Sequence, residues 1–211
     1  SDLLAVGSSS YDLNINMFNV LQHTITGWPG GKPNTDDSHR PERANPAKKR
    51  VILFSPHPDD DVISMGGTFA KLIKQGHDVH VVYQTSGNIA VTDDEALKFA
   101  EVCNDFIGED TGGINFQSVI DFINSKTQGQ SDSLEVRKLK GLIRRRESYA
   151  ATRYIGLKDE NTHFLDLPFY ETGVVQKKPI GSEDIAIVKE IIERIKPHQI
   201  FAAGDLADPH G

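Results

Sequence analysis

The sequence predicts an α/β architecture, a parallel β-sheet covered by helices on both faces. Short apolar runs bounded by turn residues, "RVILFSP" (50–56) first among them, have the length and composition of strands buried on both sides. Longer stretches with apolar residues at helical spacing lie between them. The two kinds alternate along the chain, which makes successive strands parallel and puts helices in the crossovers.

The elements follow in order. "DVISMGGTFAKLIKQG" reads as a helix after the first strand, with Val62, Phe69, Leu72 and Ile73 on its inner side and Gly76 as its stop. "HDVHVVYQT" is the second strand, completing a βαβ unit with a right-handed crossover. "DDEALKFAEVCNDFIG" is helical, and "EDTGGINFQSVIDFINSKTQGQSDSLE" reads as an insertion carrying a short helix. "VRKLKGLIRRRESYAATRYIG" is a helix ending at Gly156, and "THFLDLP" is the third strand. "SEDIAIVKEIIERIKP" is a helix ending at Pro197; its opening Ser182–Ile185 pair is an imperfect capping box, because position 185 is not Glu or Gln. "HQIFAAG" is the fourth strand, followed by "DLADPHG".

This places the main domain at residues 50–211, with 1–49 as an N-terminal tail and linker. In that tail "MFNVLQHTI" (17–25) carries a helical apolar stripe, and "GWPGGKPNTDDSHRPERANPAKK" is linker-like in its Gly, Pro and charge. The 37% hydrophobic and 25% charged composition is that of an ordinary globular protein. A net charge of −7 argues against nucleic acid as partner, since phosphate binding needs a basic face. Cys103 is the only cysteine, so neither a disulfide framework nor a zinc finger can form. No run approaches the roughly 18 apolar residues of a membrane helix, and "SDLLAVGSSSYDLN" has no signal-peptide pattern. A cytoplasmic location is the expectation.

Ligands of open α/β sheets bind beyond the carboxyl ends of the strands, where "HPDDD" (57–61) sits. Three adjacent carboxylates repel, so they need open water or a cation. His57 and Asp60 offer an imidazole and a carboxylate suited to zinc at roughly 2.0–2.2 Å, and Pro58 fixes the loop between them. Asp59 is placed to act as a base that is not a ligand, while Asp61 also fits simple helix N-terminal charge. A magnesium pocket would leave His57 without a role, because Mg²⁺ prefers oxygen ligands. No Gly-x-Gly-x-x-Gly or Gly-Lys-Ser/Thr motif is present, so Gly66 and Gly67 are expected to permit close helix packing. His77, His80, His163 and His198, in or beside strands, are expected to be structural.

"SPHPDDDVISMGGTFAKLIKQGHDVHVVYQTSG" resembles the first motif of the PIG-L/LmbE family of zinc-dependent N-acetylglucosaminyl deacetylases, usually Ala-His-Pro-Asp-Asp-Glu followed by a Gly-Gly helix. "RRRESYAATRYIGL", "HFLDLP" and "DPHG" are similar to further family segments, so the resemblance spans about residues 50 to 211. Departures are Asp61 in place of Glu, Ser55-Pro56 before the histidine, and the long segment 88–140. The resemblance implies a Rossmann-like, LmbE-like fold, with His57 and Asp60 as metal ligands and Asp59 as general base. It further implies His210 as the first histidine of a His-x-x-His motif, assisting catalysis, and Arg144 as a substrate contact. A solvated Arg144 paired with Glu147 is the competing reading. The third metal ligand is expected beyond Gly211, so that this stretch alone would be inactive.

The function so implied is a Zn²⁺-dependent (or other divalent transition metal) hydrolase that removes acetyl from an N-acetylglucosamine-type amino sugar. The alternative is a non-catalytic sugar-binding or regulatory module attached to a glucosamine-6-phosphate deaminase-like domain, an arrangement that some bacterial relatives carry. The partners expected are a small-molecule amino sugar and at most further copies of the chain, with no membrane span.

Overall fold

A computed structural model of the chain describes residues 9–13, 48–107, 115–172 and 176–203. The helix expected over 17–25, its linker up to residue 47 and the terminal "DPHG" lie outside these residues. The elements are β1 (Arg50–Ser55), α1 (Asp60–Lys74), β2 (Asp78–Tyr83), α2 (Asp93–Ile107), α3 (Phe116–Ser125), α4 (Leu134–Tyr154), β3 (Thr162–Phe164), α5 (Ser182–Ile195) and β4 (Gln199–Phe201). Among the described residues the strands form one sheet in the order β3–β2–β1–β4, every pair parallel.

The alternation of strand side chains sorts the core into two layers. Val51 and Leu53 of β1 join Val79, Val81 and Tyr83 of β2 on one face, covered by Phe69 and Leu72 of α1 and by Leu157 after α4. Ile52 and Val82 point the other way, against Ile191 and Ile195 of α5. Helices therefore cover both faces, and the near-continuous apolar composition of β1 reflects burial on both sides. Arg50 locks α5 to β1: its Nε donates to the carbonyls of Ile195 and Lys196, 2.9 Å each, satisfying two acceptors at the helix end.

The short helix expected within 109–135 is α3 (Phe116–Ser125), and segment 88–140 around it is packed. α2, α3 and the first half of α4 build their own core from Val91, Ala96, Ala100, Val119, Ile120, Ile123, Val136 and Ile143. Asn115 caps α3 and Ser133 caps α4, each accepting from a backbone N–H three residues on. Lys126 and Lys140 both bridge Asp93 and Asp132, at 2.5–2.8 Å, tying the three helices together.

Three sequence readings are corrected. Val62 is exposed rather than inward, because Met65 leaves helical geometry (φ −149°, ψ 24°) and shifts the face of the first turn of α1 relative to Phe69 and Leu72. A Cβ at Gly67 would meet nothing within 4 Å, and at Gly66 only Val62 Cγ1 at 3.6 Å, so neither glycine serves close packing; both follow the Met65 break. Gly181, not Ser182, caps α5: its N–H donates to Asp184 Oδ2 at 2.8 Å, while Asp184 Oδ1 accepts from Phe169 N at 3.0 Å.

The strand histidines all have structural partners. His77 Nδ1 accepts from Lys49 N and His198 Nδ1 from Arg50 N. His80 and His163 stack across β2 and β3, with Nδ1 and Nε2 3.0 Å apart; Asp78 flanks His80, and Arg194 of α5 approaches His163 at 3.5 Å. Burial, then His80 and Arg194, push His163 down to about 4. Its folded value lies below its unfolded one, so the unfolded chain binds the extra proton first and stability falls as pH drops from about 6.5 toward 4. With partial exposure allowed for, the loss is about 2 kcal/mol. Urea unfolding at pH 7.5 and pH 5 is expected to show it, with a shallower pH dependence in His163→Leu.

Candidate active site

The order β3–β2–β1–β4 reverses direction at β1, and this switch point opens the crevice where α/β sheets bind ligands. The loops after β1, β2 and β3 gather there. Beyond the strands, Gln84 N still donates to Ser55 O, Thr85 Oγ1 to Pro56 O, Leu165 N to Tyr83 O and Leu167 N to Gln84 O, so the rim is as firmly tied as the sheet.

Ser55, fully buried, organises the His57 loop. Its hydroxyl donates to His57 O at 2.6 Å and accepts from Asp61 N at 3.0 Å. Asp61 therefore turns away from the cleft into the core, where Tyr83 OH donates to it at 2.9 Å. Burial pushes its carboxyl up, against the opposing hydrogen bond from Tyr83. The aspartate triplet is thus divided, and its third member is a buried strut.

His57, Asp59, Asp60 and Arg144 stand together at the rim. Asp60 Oδ2 accepts from His57 N at 2.9 Å and lies 3.2 Å from His57 Nδ1. Two donors about 2.0–2.2 Å from one tetrahedral zinc stand roughly 3.3–3.6 Å apart, so the pair fits a shared ion in chemistry and lies just inside that spacing. A catalytic zinc takes three protein ligands. Among the described residues no group of three His, Cys, Asp or Glu side chains is gathered to hold a metal, and His210 lies outside them.

Asp59 is held in an unusual conformation. Its φ of 114° falls where only glycine is at ease, a strain of about 1–3 kcal/mol that the surroundings must overcome. They do so from both ends. The Asp59 carbonyl accepts from Val62 and Ile63 N, 2.9 Å each, starting α1. Arg144 Nη2 donates to Asp59 Oδ2 at 2.9 Å and to the Pro58 carbonyl, while Nη1 pairs with Glu147 at 2.6 Å. Asp59 remains half exposed, and its Oδ1 has no hydrogen bond among the described residues.

The arginine run separates as helical geometry requires. Arg145 pairs with Asp166 and covers the Phe164 ring; burial still pushes the Asp166 carboxyl up despite that charge. Arg146 lies over Tyr149. Of the three, Arg144 is the one that reaches Asp59.

Sequence reasoning missed Gly87 and Tyr170. Gly87 (φ 64°) lets β2's loop pass close to Pro58 and Arg144: a Cβ there would lie 2.9 Å from Pro58 Cδ and 3.5 Å from Arg144 Nε. Gly87→Ala is expected to cost about 1–3 kcal/mol in urea unfolding, through the clash and the positive φ. Tyr170, buried, sets its ring edge against His57 with centroids 5.6 Å apart, and Lys177 Nζ lies 3.5 Å from the centroid of the Tyr170 ring. Glu171 accepts from Ser86 N and Asn88 Nδ2, joining this loop to the one after β2. Position was the available signal, since "TSGN" and "PFYE" both lie in the loops after parallel strands.

Among the described residues no helix is long and apolar enough to cross a membrane. Compared with known proteins, the chain is 54% identical over 217 aligned residues to a glucosamine-6-phosphate deaminase-like protein of Bacteroides thetaiotaomicron; all of the chain is covered, and it spans 33% of that relative. It is 45% identical over 47 residues, 22% of the chain and 18% of the relative, to a diacetylchitobiose deacetylase of Thermococcus kodakarensis. Residues 52–211 match the PIG-L family, described as GlcNAc-PI de-N-acetylase. A match over that much of the chain, taking in the whole sheet beyond its first two residues, makes it a member of the PIG-L family.

Proposed function

We propose that this chain is the deacetylase portion of a zinc-dependent enzyme that hydrolyses the N-acetyl group of an N-acetylglucosamine-type amino sugar. The observation that carries the reading is the His57–Asp60 pair beside a strained, Arg144-held Asp59, at the switch point of a PIG-L sheet. His57 and Asp60 would hold the metal, with a third ligand expected from beyond Gly211. When bound, zinc supplies a Lewis acid that polarises the acetyl carbonyl and acidifies water.

The chain's own residues do the rest. Asp59, through its unengaged Oδ1, accepts the proton of the water that attacks the carbonyl carbon. Arg144 fixes the other oxygen and the preceding carbonyl, so the base is aimed before substrate arrives. His210 supports the developing oxyanion and passes a proton to nitrogen as the C–N bond breaks, giving acetate and the free amine. Lys in place of Arg144 keeps the charge but not the planar fork, so Arg144→Lys is expected to lower kcat about 10–100-fold with KM little changed. A pure substrate contact would raise KM instead.

The full-length protein, chelated and then supplied with zinc, is expected to release acetate and amine in equal amounts from N-acetylglucosamine derivatives. Sugar binding without release would overturn the enzymatic reading.

A further inference from the structure

α4 presents a second arginine toward the same cleft. Arg137 lies two turns before Arg144, so both side chains leave the same side of the helix, about 10 Å apart along its axis. Arg144, Arg145 and Arg153 each pair with a carboxylate. Arg137 pairs with none among the described residues. Of its five donors one is engaged, Nη1 with the Glu171 carbonyl at 3.4 Å, and its Nε is buried without a partner. A part-buried guanidinium is costly to leave unneutralised. The neighbouring Lys140 shows the usual remedy, being closed against Asp93 and Asp132.

Its place is informative. Glu171, whose carbonyl it touches, follows Tyr170, and Tyr170 packs on His57. The Glu171 carboxylate is turned away to Ser86 N and Asn88 Nδ2 and does not pair with the Arg137 fork. Lys177, whose Nζ donates to Tyr170 O at 3.3 Å, places a cation beside that loop as well.

We propose that Arg137 anchors an anion subsite, which takes a phosphate or carboxylate group carried by the amino-sugar substrate. The planar fork suits either anion by paired N–H···O bonds. The sugar as carrier rests on the deacetylase reading; the anion preference does not.

The test is calorimetric binding to the zinc-loaded full-length protein of glucosamine, glucosamine 6-phosphate and muramic acid, with acetate release measured in parallel on their N-acetyl forms. One anionic sugar is expected to bind at least about tenfold tighter than glucosamine, and which one identifies the group. Arg137→Met should erase that advantage while leaving glucosamine affinity within about twofold. Arg137→Lys, which keeps the stem and the charge, should lose most of it and serves if the Met variant does not fold. Equal binding of charged and neutral sugars by the wild type, or equal weakening of both in Arg137→Met, would overturn the subsite. An anion advantage without acetate release would keep the subsite and remove the deacetylase reading.

Discussion

Replacing Asp59 by Asn is expected to lower turnover by about 10²–10⁴ while leaving the metal in place, the usual cost of one positioned base. The substitution is close to isosteric. Asn still accepts from Arg144, which donates to Asp59 Oδ2, and Asn tolerates positive φ as well as Asp does, so the strained turn persists. The His57–Asp60 contact does not pass through Asp59, so zinc affinity should change little. Zinc content and acetate release, measured on one preparation, check both halves. Loss of zinc from Asp59→Asn to the extent seen in Asp60→Asn would make Asp59 a ligand and end this division of roles.

Asp60→Asn is expected to weaken zinc binding by at least about 100-fold and to take activity to background. An amide oxygen still accepts the His57 N–H now bonded to Asp60 Oδ2, so the loop stays folded and the loss is confined to the donor set. The negative charge is gone, and with it most of the attraction for a dication. Competition with a coloured chelator gives the affinity, and unfolding midpoints show that the fold is retained. His57→Ala should match it in both readouts. Unchanged zinc affinity in either variant would move the metal elsewhere.

Much of this architecture was legible from the residues. Runs such as "RVILF" and "HVVY" have no polar alternation, and that follows from burial on both faces, as the two separate clusters around Val51 and Ile52 show. The His57–Asp60 juxtaposition follows from three-residue spacing at a strand end. Less accessible was anything set by a single backbone angle. The Met65 break reverses the exposure of Val62, and no propensity signals it. The 114° φ of Asp59 depends on Arg144, 85 positions away, and on a glycine in another loop. Arg144 had two competing readings, a substrate contact or a solvated residue paired with Glu147; the Glu147 pair is present, but the side chain is largely buried and also holds Asp59, which neither reading named. Gly87, Tyr170 and Arg137 stayed invisible because each acts through contacts between loops distant in sequence. The stretch 109–135 read as an insertion carrying a short helix, since the small core of Ala96, Ala100, Val119 and Ile123 forms only once α2, α3 and α4 meet.

Anomalous X-ray scattering at the zinc edge, from crystals of the full-length protein, tests the assignment most directly. The expected result is one strong peak about 2.0–2.2 Å from both a His57 nitrogen and an Asp60 oxygen, with Asp59 outside bonding distance and still held by Arg144. A peak bonded to Asp59, or no peak at the His57–Asp60 pair in zinc-loaded active protein, would contradict it.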